Sequence, residues 1–285
     1  MQYQEAFALF EKMIAVAKQE LLEFTLHQPF EKEQKADKSM VTDCDKMLDT
    51  KLSAMAWETG FQVLSEEGDH AEDILHSGNY FIIDPIDGTN RYINNINFAL
   101  EQGSINRFLE KDLGSDHDFA LLLGIVENGI PQYAAVYVYT TGEKILVDGN
   151  NKDNLVRENN VRNFTGKDVV YTHNEHVGQI EKTVSSLPDV TLISQSAYGI
   201  KSLYTLINPH ENAMAPHKKN NMGLWDVMPA AVAARAFGGQ VYDGQGKPLV
   251  CTEYVYIPPR GAIVVKGEKF LSMLDLLQDK SQEGI

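Results

Sequence analysis

Two aspartates stand three residues apart at the end of a short apolar run. The run, residues 80–83, is aromatic and β-branched and stops at a breaker, which predicts a buried strand. Pro85 fixes its own φ and pushes Asp84 into an extended conformation, so we expect the strand to end there. Asp84 and Asp87 then follow a strand end rather than lying on a helix, and their carboxylates can converge on one point.

The residues that follow these aspartates suit an anion. Gly88 permits a backbone too tight for a side chain, and Thr89 can begin a helix whose free N–H groups face a negative charge. Carboxylates beside such a helix start are compatible only if cations lie between them and the anion. The pattern favours a metal-assisted phosphate site, although D-P-x-D-G-T alone is more typical of a solvated turn.

Two further motifs favour the metal-assisted phosphate site over the solvated turn. L-S-E-E at residues 64–67 precedes the turn, and G-L-W-D at residues 223–226 lies far downstream. With D-P-I-D-G-T at residues 84–89, they resemble the inositol monophosphatase superfamily, which consists of magnesium-dependent, lithium-sensitive phosphomonoesterases. The order and approximate spacing of the three motifs match that family over most of the chain.

The resemblance implies a set of metal ligands. One ion is expected to bind Glu66, Asp84 and the backbone carbonyl of Ile86. A second is expected to bind Asp84, Asp87 and Asp226, with Asp84 bridging. All these donors are hard oxygens without Cys or His, which favours Mg²⁺, at two or three ions per active site, over zinc. Asp226 could otherwise be a simple helix cap beside a core tryptophan.

The catalytic residues implied by the resemblance are Asp45, Thr89 and Glu66. Residues 35–45 fill every specified position of the family pattern K-x-D-x-S-x-V-T-x-x-D, which implies a loop over the active site. Thr89 is expected to orient or deprotonate the attacking water, and Asp45 to accept the threonine proton, because an alcohol is a feeble base without a carboxylate behind it. Taken alone, Thr42 would be explained as the cap of a helix from about residue 43 to 59.

Phosphate and substrate contacts are predicted at five positions. The N–H groups of Gly88 and Thr89 should hold phosphate. Lys219 stands where inositol monophosphatases carry a glutamate that contacts sugar hydroxyls, with Lys218 beside it, and Lys201 begins a predicted helix. Lysine suits a second phosphate better than it accepts hydrogen bonds from hydroxyls, although a lysine pair on a loop is usually only solvated.

The lysines at these positions favour one branch of the superfamily, the 3′(2′),5′-bisphosphate nucleotidases. The loop at residues 35–45 and the segment D-G-Q-G-K-P-L at residues 243–249 also resemble that branch. Against it, N-R-Y follows D-G-T at residues 90–92, where the branch commonly has K-x-F. Inositol-1-monophosphatase is the alternative, followed by a sugar bisphosphatase and a non-catalytic phosphate-binding protein.

The composition limits the partners. A chain of 285 residues with 43% hydrophobic and 23% charged residues is typical of a globular protein with a sizeable core. A formal charge of −15 argues against the basic surface that a nucleic-acid polymer requires, whereas bound cations would make the site attractive to a small phosphorylated metabolite.

The cellular compartment of the protein is predicted from three features that the sequence does not show. Cys44 and Cys251 are too few for a disulfide framework, the N-terminus shows no secretion signal, and no apolar run reaches the roughly 20 residues that span a bilayer. We expect a cytoplasmic protein that does not bind membranes.

The element pattern changes near the middle of the chain. Residues 1–150 predict an α+β half with an antiparallel meander and most metal ligands, and residues 151–285 predict an α/β half that contributes Asp226 and substrate contacts. Residues 94–118 are expected to be an inserted solvated or contact loop. The resemblance implies a layered αβαβα sandwich of the α/β class, with the active site between the halves, and a homodimer.

Overall fold

The computed structural model of the chain describes residues 1–27, 32–34, 40–68, 73–101, 117–160, 167–172, 184, 187, 189–195, 197–214, 222–253, 255–257 and 261–274. The α-helices within these residues are α1 (Tyr3–His27), α2 (Asp43–Trp57), α3 (Asp73–Ser77), α4 (Thr89–Glu101), α5 (Tyr198–Ile207) and α6 (Leu224–Phe237). The strands are β1 (Lys32–Gln34), β2 (Met40–Thr42), β3 (Gln62–Ser65), β4 (Tyr80–Asp87), β5 (Ala120–Glu127), β6 (Ile130–Val138), β7 (Glu143–Asp148), β8 (Val156–Glu158), β9 (Asp168–Thr172), β10 (Val190–Ser194), β11 (Asn212–Met214), β12 (Gln240–Tyr242) and β13 (Ile263–Lys266). Lys152–Asn154 and Glu268–Leu274 form 3₁₀ helices.

The first sheet has the strand order β3-β4-β5-β6-β7-β8. From β4 to β8 every neighbouring pair is antiparallel, which confirms the predicted meander. The pair β3 and β4 is parallel, which the sequence pattern did not predict. Because parallel strands end at the same edge, the residues that follow β3 lie beside the second half of β4.

Strand β4 is longer than predicted. The expectation that Pro85 ends the strand was wrong, because β4 continues to Asp87 and Asp87 still pairs with Ala120 of β5. The pairing is irregular between Asp84 and Asp87, and this irregularity accommodates the missing N–H of proline. A continuous but distorted strand therefore carries both aspartates.

The two faces of the first sheet are covered by different helices. On one face, Phe10 of α1 and Leu48 of α2 belong to the same apolar cluster as Phe81. On the other face, Ile82 lies in a cluster that includes α5 and α6. Helix α6 approaches so closely that a Cβ on Gly124 of β5 would lie 2.3 Å from Met228. Successive side chains of β4 point to opposite faces, and helices cover both, so the sheet lies between two helical layers.

The second sheet has the order β10-β9-β11-β13-β12, and β9 is parallel to both β10 and β11. Val169 and Val264 face α5 and α6 in the shared cluster. Val170, Val265 and Phe270 form a cluster on the opposite face. These successive layers confirm the predicted layered α/β fold. The sequence pattern also predicts a helix over residues 176–187, which fall almost wholly outside the described residues.

The region predicted to be an insertion is partly regular. Helix α4 continues from Thr89 to Glu101 and buries Ile96 and Ala99, so the loop prediction was wrong for residues 94–101. Residues 102–116 lie outside the described residues. The division of the chain at residues 150 and 151 stays a proposal; the last strand of the first sheet, β8, lies just beyond it. Within the described ranges no helix combines the length and apolarity needed to cross a bilayer.

Candidate active site

Three buried carboxylates from distant parts of the chain meet at one point. Asp84, Asp87 and Asp226 each offer an oxygen, and these oxygens all lie within 4.8 Å of one another. The first two come from the irregular end of β4, and the third comes from the first turn of α6. The structure therefore brings together the three side chains predicted to share the second metal ion; we call them the acidic trio.

The Asp226 carboxylate is held in place by the start of its own helix. The N–H of Gly223 donates a 2.8 Å hydrogen bond to Asp226 Oδ2. A carboxylate in the first turn also interacts favourably with the positive end of the helix dipole. Asp226 is thus both a helix-capping residue and a member of the acidic trio, so the two interpretations of its sequence do not compete.

Asp84 is the least compensated member of the trio. Its Oδ1 accepts a 3.0 Å hydrogen bond from the N–H of Ile86, but its buried Oδ2 has no hydrogen-bond partner within the described part of the chain. Burial raises the pKa of Asp84 well above the ordinary carboxyl range, and the charges of Glu66, Asp87 and Asp226 raise it further. A buried carboxylate oxygen in such surroundings is suited to binding a cation.

Glu66 lies beside this site. Its backbone N–H donates a 3.0 Å hydrogen bond to Ile83 O, which is a consequence of the parallel pairing of β3 and β4. The Glu66 charge raises the pKa of both Asp84 and Asp45, so its carboxylate is near each of them. Glu66 is not part of the tight trio, and its role as a ligand of a separate ion that shares Asp84 stays a prediction.

These residues fit the Mg²⁺ ions that the sequence predicts. The donors are carboxylates and backbone carbonyls, which are the ligands that Mg²⁺ prefers. A cation at this place would compensate the partnerless Oδ2 of Asp84 and relieve the mutual repulsion of the trio. The cluster is therefore better explained as a cation site than as a structural hydrogen-bond network.

Asp45, in the first turn of α2, connects the end of β2 to the start of α4. Its Oδ2 accepts hydrogen bonds from the backbone N–H of Thr42 at 2.8 Å and from the Thr42 hydroxyl, while Oδ1 accepts a 3.0 Å bond from the Thr89 hydroxyl. Burial raises the pKa of Asp45 to about 6, against the lowering effect of the Thr42 bonds. Thr42 caps α2, as the alternative interpretation held, and the same contacts orient Asp45 toward Thr89.

The start of α4 completes this part of the site. Gly88 has φ +95°, a conformation that favours glycine, and a Cβ there would lie 3.4 Å from the Cβ of Phe119. The hydroxyl of Thr89 lies 3.2 Å from Ile86 O as well as 3.0 Å from Asp45, so its single proton has two alternative acceptors. The Ile86 carbonyl, predicted to be a metal ligand, thus lies beside the residue predicted to orient water.

Asp87 has a second set of contacts that the sequence did not reveal. Its two oxygens accept hydrogen bonds from the N–H groups of Tyr198 at 3.0 Å and Gly199 at 2.6 Å, at the start of α5. Ala197 precedes them with φ +51°, which a residue with a side chain rarely adopts. No local pattern near residue 197 predicts this contact, because it depends on how the two sheets pack.

The predicted substrate lysines have different outcomes. Lys201 lies in the first turn of α5, is only 3% exposed, and has its Nζ 5.2 Å from the centre of the Tyr198 ring. The charges of Asp226 and Asp87 in turn raise the pKa of Tyr198, after the larger effect of burial. Lys201 is therefore buried against Tyr198, whose backbone N–H donates to Asp87, rather than lying on a solvated surface. Lys218 and Lys219 lie outside the described residues.

Acidic side chains that gather around cations next to a helix start are typical of enzymes that hydrolyse phosphate esters with divalent metal ions. The family model described as the inositol monophosphatase family matches residues 2–274, so the chain belongs to that family. Its members are Mg²⁺-dependent phosphatases, and the chain is accordingly a phosphoric monoester hydrolase. No curated protein matches the chain.

Solved structures share the fold over almost the whole chain. A structure of an IMPase/NADP phosphatase with Mg²⁺ and phosphate has a TM-score of 0.68 at 15% identity, covering 97% of this chain and 96% of the other. A staphylococcal IMPase-I with products has a TM-score of 0.69 at 16% identity, covering 98% and 97%. The extragenic suppressor protein suhB from Bartonella henselae has a TM-score of 0.62 at 16% identity, covering 99% and 100%. At these identities the likeness concerns the fold.

Proposed function

We propose that this phosphatase removes the 3′-phosphate from adenosine 3′,5′-bisphosphate, or from a closely related 3′(2′),5′-bisphosphate nucleotide, and releases AMP. The observation that supports phosphomonoester hydrolysis is the acidic trio with its oxygens within 4.8 Å, next to the linked pair of Asp45 and Thr89. The nucleotide preference has a separate basis, which is the buried Lys201 in the structure together with Lys218 and Lys219 in the sequence.

The residues proposed to hold Mg²⁺ are those implied by the family resemblance. Glu66, Asp84 and the carbonyl of Ile86 would bind one ion, and the acidic trio would bind another. Bound there, the ions would supply positive charge that polarises the phosphate and favours ionisation of the attacking water. The orphaned Asp84 Oδ2 supports this assignment, because a cation would compensate it.

Thr89 and Asp45 are proposed to move the proton of the attacking water. When the Thr89 hydroxyl donates to Asp45 Oδ1, its lone pairs are available to accept a hydrogen bond from water. The pKa of Asp45, which burial raises to about 6, is well matched to accepting a proton near neutral pH. The N–H groups of Gly88 and Thr89, at the start of α4, would bind the phosphate.

The proposed substrate carries a second phosphate, which requires a cation in the leaving-group part of the site. Lys201 is buried against Tyr198, whose backbone N–H donates to Asp87, so its ammonium group contributes to the field of the protein interior rather than to the solvated surface. In the sequence, Lys219 stands where the resemblance assigns a residue to sugar hydroxyls, and Lys218 lies beside it. Both features favour a bisphosphate over an inositol monophosphate.

Parallel assays of phosphate release test this proposal. Purified protein with Mg²⁺ should hydrolyse adenosine 3′,5′-bisphosphate with a higher kcat/KM than inositol 1-phosphate, and Lys219→Glu should shift the ratio toward inositol 1-phosphate. An unchanged ratio in Lys219→Glu would remove the lysine argument. A wild-type preference for inositol 1-phosphate would favour the alternative function, inositol-1-monophosphatase, and fructose 1,6-bisphosphate in the same assay tests a sugar bisphosphatase. A homodimer and a cytoplasmic location remain proposals from the resemblance.

A further inference from the structure

One aromatic side chain beside the site has no role in the mechanism above. Tyr256 belongs to a short segment that runs antiparallel to the residues before α6. Leu224 N–H donates to Val255 O at 2.9 Å, Ile257 N–H donates to Met222 O at 2.8 Å, and Tyr256 pairs with Gly223 between them. These backbone bonds fix the position of Tyr256 relative to the start of α6.

The residue opposite Tyr256 contacts the acidic trio directly. The N–H of Gly223 donates to Asp226 Oδ2 at 2.8 Å. On its other side, Gly223 is covered by the indole of Trp225, since a Cβ on Gly223 would lie 2.0 Å from that ring. The Tyr256 ring meets the same indole edge-on, with 5.5 Å between ring centroids and an interplanar angle of 79°. The two aromatic rings therefore lie next to the Asp226 end of the site.

The two rings differ in exposure. Trp225 is 3% exposed and is part of the apolar core, whereas Tyr256 is 47% exposed. The buried indole thus supports a tyrosine ring that is partly open to solvent at the edge of the site. When the phosphate of a substrate lies at the acidic trio, a leaving group that extends past Asp226 reaches the exposed Tyr256 ring.

We propose that Tyr256 determines specificity by stacking its ring on the planar base of a nucleotide substrate. This inference deepens the proposed function and rests on it for the substrate class. A purine base presents a flat π surface to an aromatic ring, and such stacking commonly contributes about 10-fold in affinity. A hydroxylated, non-planar inositol or sugar ring offers no comparable surface, so Tyr256 discriminates between the leaving groups rather than assisting hydrolysis.

The chain offers a built-in reporter for this contact. It contains two tryptophans, Trp225 beside Tyr256 and Trp57 at the end of α2, where it is 61% exposed. Trp57→Phe therefore leaves Trp225 as the only tryptophan, and its fluorescence reports ligands near Tyr256. AMP and ribose 5-phosphate, titrated in the presence of Mg²⁺, differ only by the base and serve as the probe pair.

In the single-tryptophan protein, AMP should bind more tightly than ribose 5-phosphate. Tyr256→Leu, which keeps an apolar contact with Trp225 but has no planar face, should raise the Kd for AMP about 10-fold and change that for ribose 5-phosphate by less than about 2-fold. Tyr256→Phe should retain AMP binding. Leu22→Ala, which removes an exposed side chain of α1 in the helical layer on the other face of the first sheet, is the control and should alter neither Kd.

Two results would overturn the inference. One is an equal Kd for AMP and ribose 5-phosphate in the single-tryptophan protein, and the other is an unchanged or equally weakened Kd for both ligands in Tyr256→Leu. Failure of the proposed function is a different observation. If adenosine 3′,5′-bisphosphate is not hydrolysed but the base-dependent loss in Tyr256→Leu is found, the stacking role stands and only the assigned substrate is wrong.

Discussion

The Asp87 carboxylate accepts a 2.6 Å hydrogen bond from the backbone N–H of Gly199. The backbone N–H of Tyr198 donates to the same carboxylate. Asp87, which lies on β4, therefore belongs to the acidic trio and also caps the first turn of α5. The N–H groups at a helix start have no partner within the helix, so a carboxylate there is stabilising. Asp87 is consequently compensated without metal, whereas Asp84 Oδ2 is not.

This difference between Asp87 and Asp84 predicts that two similar substitutions change the thermal stability of the metal-free protein in opposite directions. Asp87→Asn weakens the cap of α5 and should lower the thermal midpoint by about 3 °C, corresponding to about 1 kcal/mol. Asp84→Asn removes an uncompensated buried carboxyl group from a cluster of like charges, and its amide can donate to the neighbouring carboxylates, so it should raise the midpoint. Thermal unfolding in excess EDTA measures both. Shifts in the same direction would show that the two aspartates are not distinguished in this way.

The raised pKa of Asp84 predicts that Mg²⁺ binding strengthens as pH increases. The metal requires the ionised carboxylate, and the proton competes with it, so affinity should increase by up to about 10-fold per pH unit below the raised pKa. The stability of the metal-free protein should instead decrease as pH increases over this range. A raised pKa stabilises the fold below the ordinary carboxyl value of about 3.9, and this contribution is lost as pH rises through the raised value.

Calorimetric Mg²⁺ titrations at several pH values, paired with thermal unfolding in EDTA, measure these two trends. Asp84→Asn should flatten the pH dependence of both. A wild-type Mg²⁺ affinity that does not change with pH would contradict the assignment of Asp84 as a ligand with a raised pKa.

The pKa of Asp45, raised by burial to about 6, predicts the acid limb of the activity profile. Asp45 must be ionised to accept the Thr89 proton, so kcat should fall as pH drops below about 6. Asp45→Asn should lose about 10²- to 10⁴-fold in kcat at pH 7, the usual contribution of a general base, and should still show a Mg²⁺-induced thermal shift. If Asp45→Asn keeps the wild-type kcat and acid limb, the proposed proton transfer is wrong.

Thr42 provides a way to move that limb without replacing the base. The Thr42 hydroxyl and N–H both donate to Asp45 and lower its pKa. Thr42→Val removes the hydroxyl donor, so the pKa of Asp45 should rise and the acid limb of kcat should move to higher pH. Loss of the helix cap should also cost about 1 kcal/mol of stability. Thr42→Ser, which keeps a hydroxyl, is the control, and equal pH profiles for the two variants would exclude the effect.

Much of the site was predictable because its residues occur in short motifs at strand and helix ends. The motifs predict that Asp84, Asp87 and Asp226 act together and that Thr89 pairs with Asp45, and the structure brings each set into proximity. The local signals here are unusually strong, since a proline, a glycine and a helix start each restrict the backbone.

The remaining features depend on packing between distant segments. No residue near Gly199 indicates that its N–H meets Asp87, and nothing around Tyr256 indicates that it lies against Trp225. The continuation of β4 through Pro85 was missed for a related reason. Local sequence predicts that a proline ends a strand. Here β4 pairs with β5 on both sides of the irregularity, and this pairing keeps Pro85 within the strand.

Carboxylates from distant parts of the chain are proposed to share Mg²⁺ ions in the hydrolysis of a phosphomonoester. The most direct test is the Mg²⁺ dependence of p-nitrophenyl phosphate hydrolysis by wild type, Asp226→Asn and Asp243→Asn. Asp243 is a matched control, since it is a buried aspartate that accepts loop N–H groups outside the trio. Wild type and Asp243→Asn should be inactive in EDTA and active with Mg²⁺, and Asp226→Asn should lose about 100-fold or more. Activity that survives EDTA, or wild-type activity in Asp226→Asn, would contradict the account.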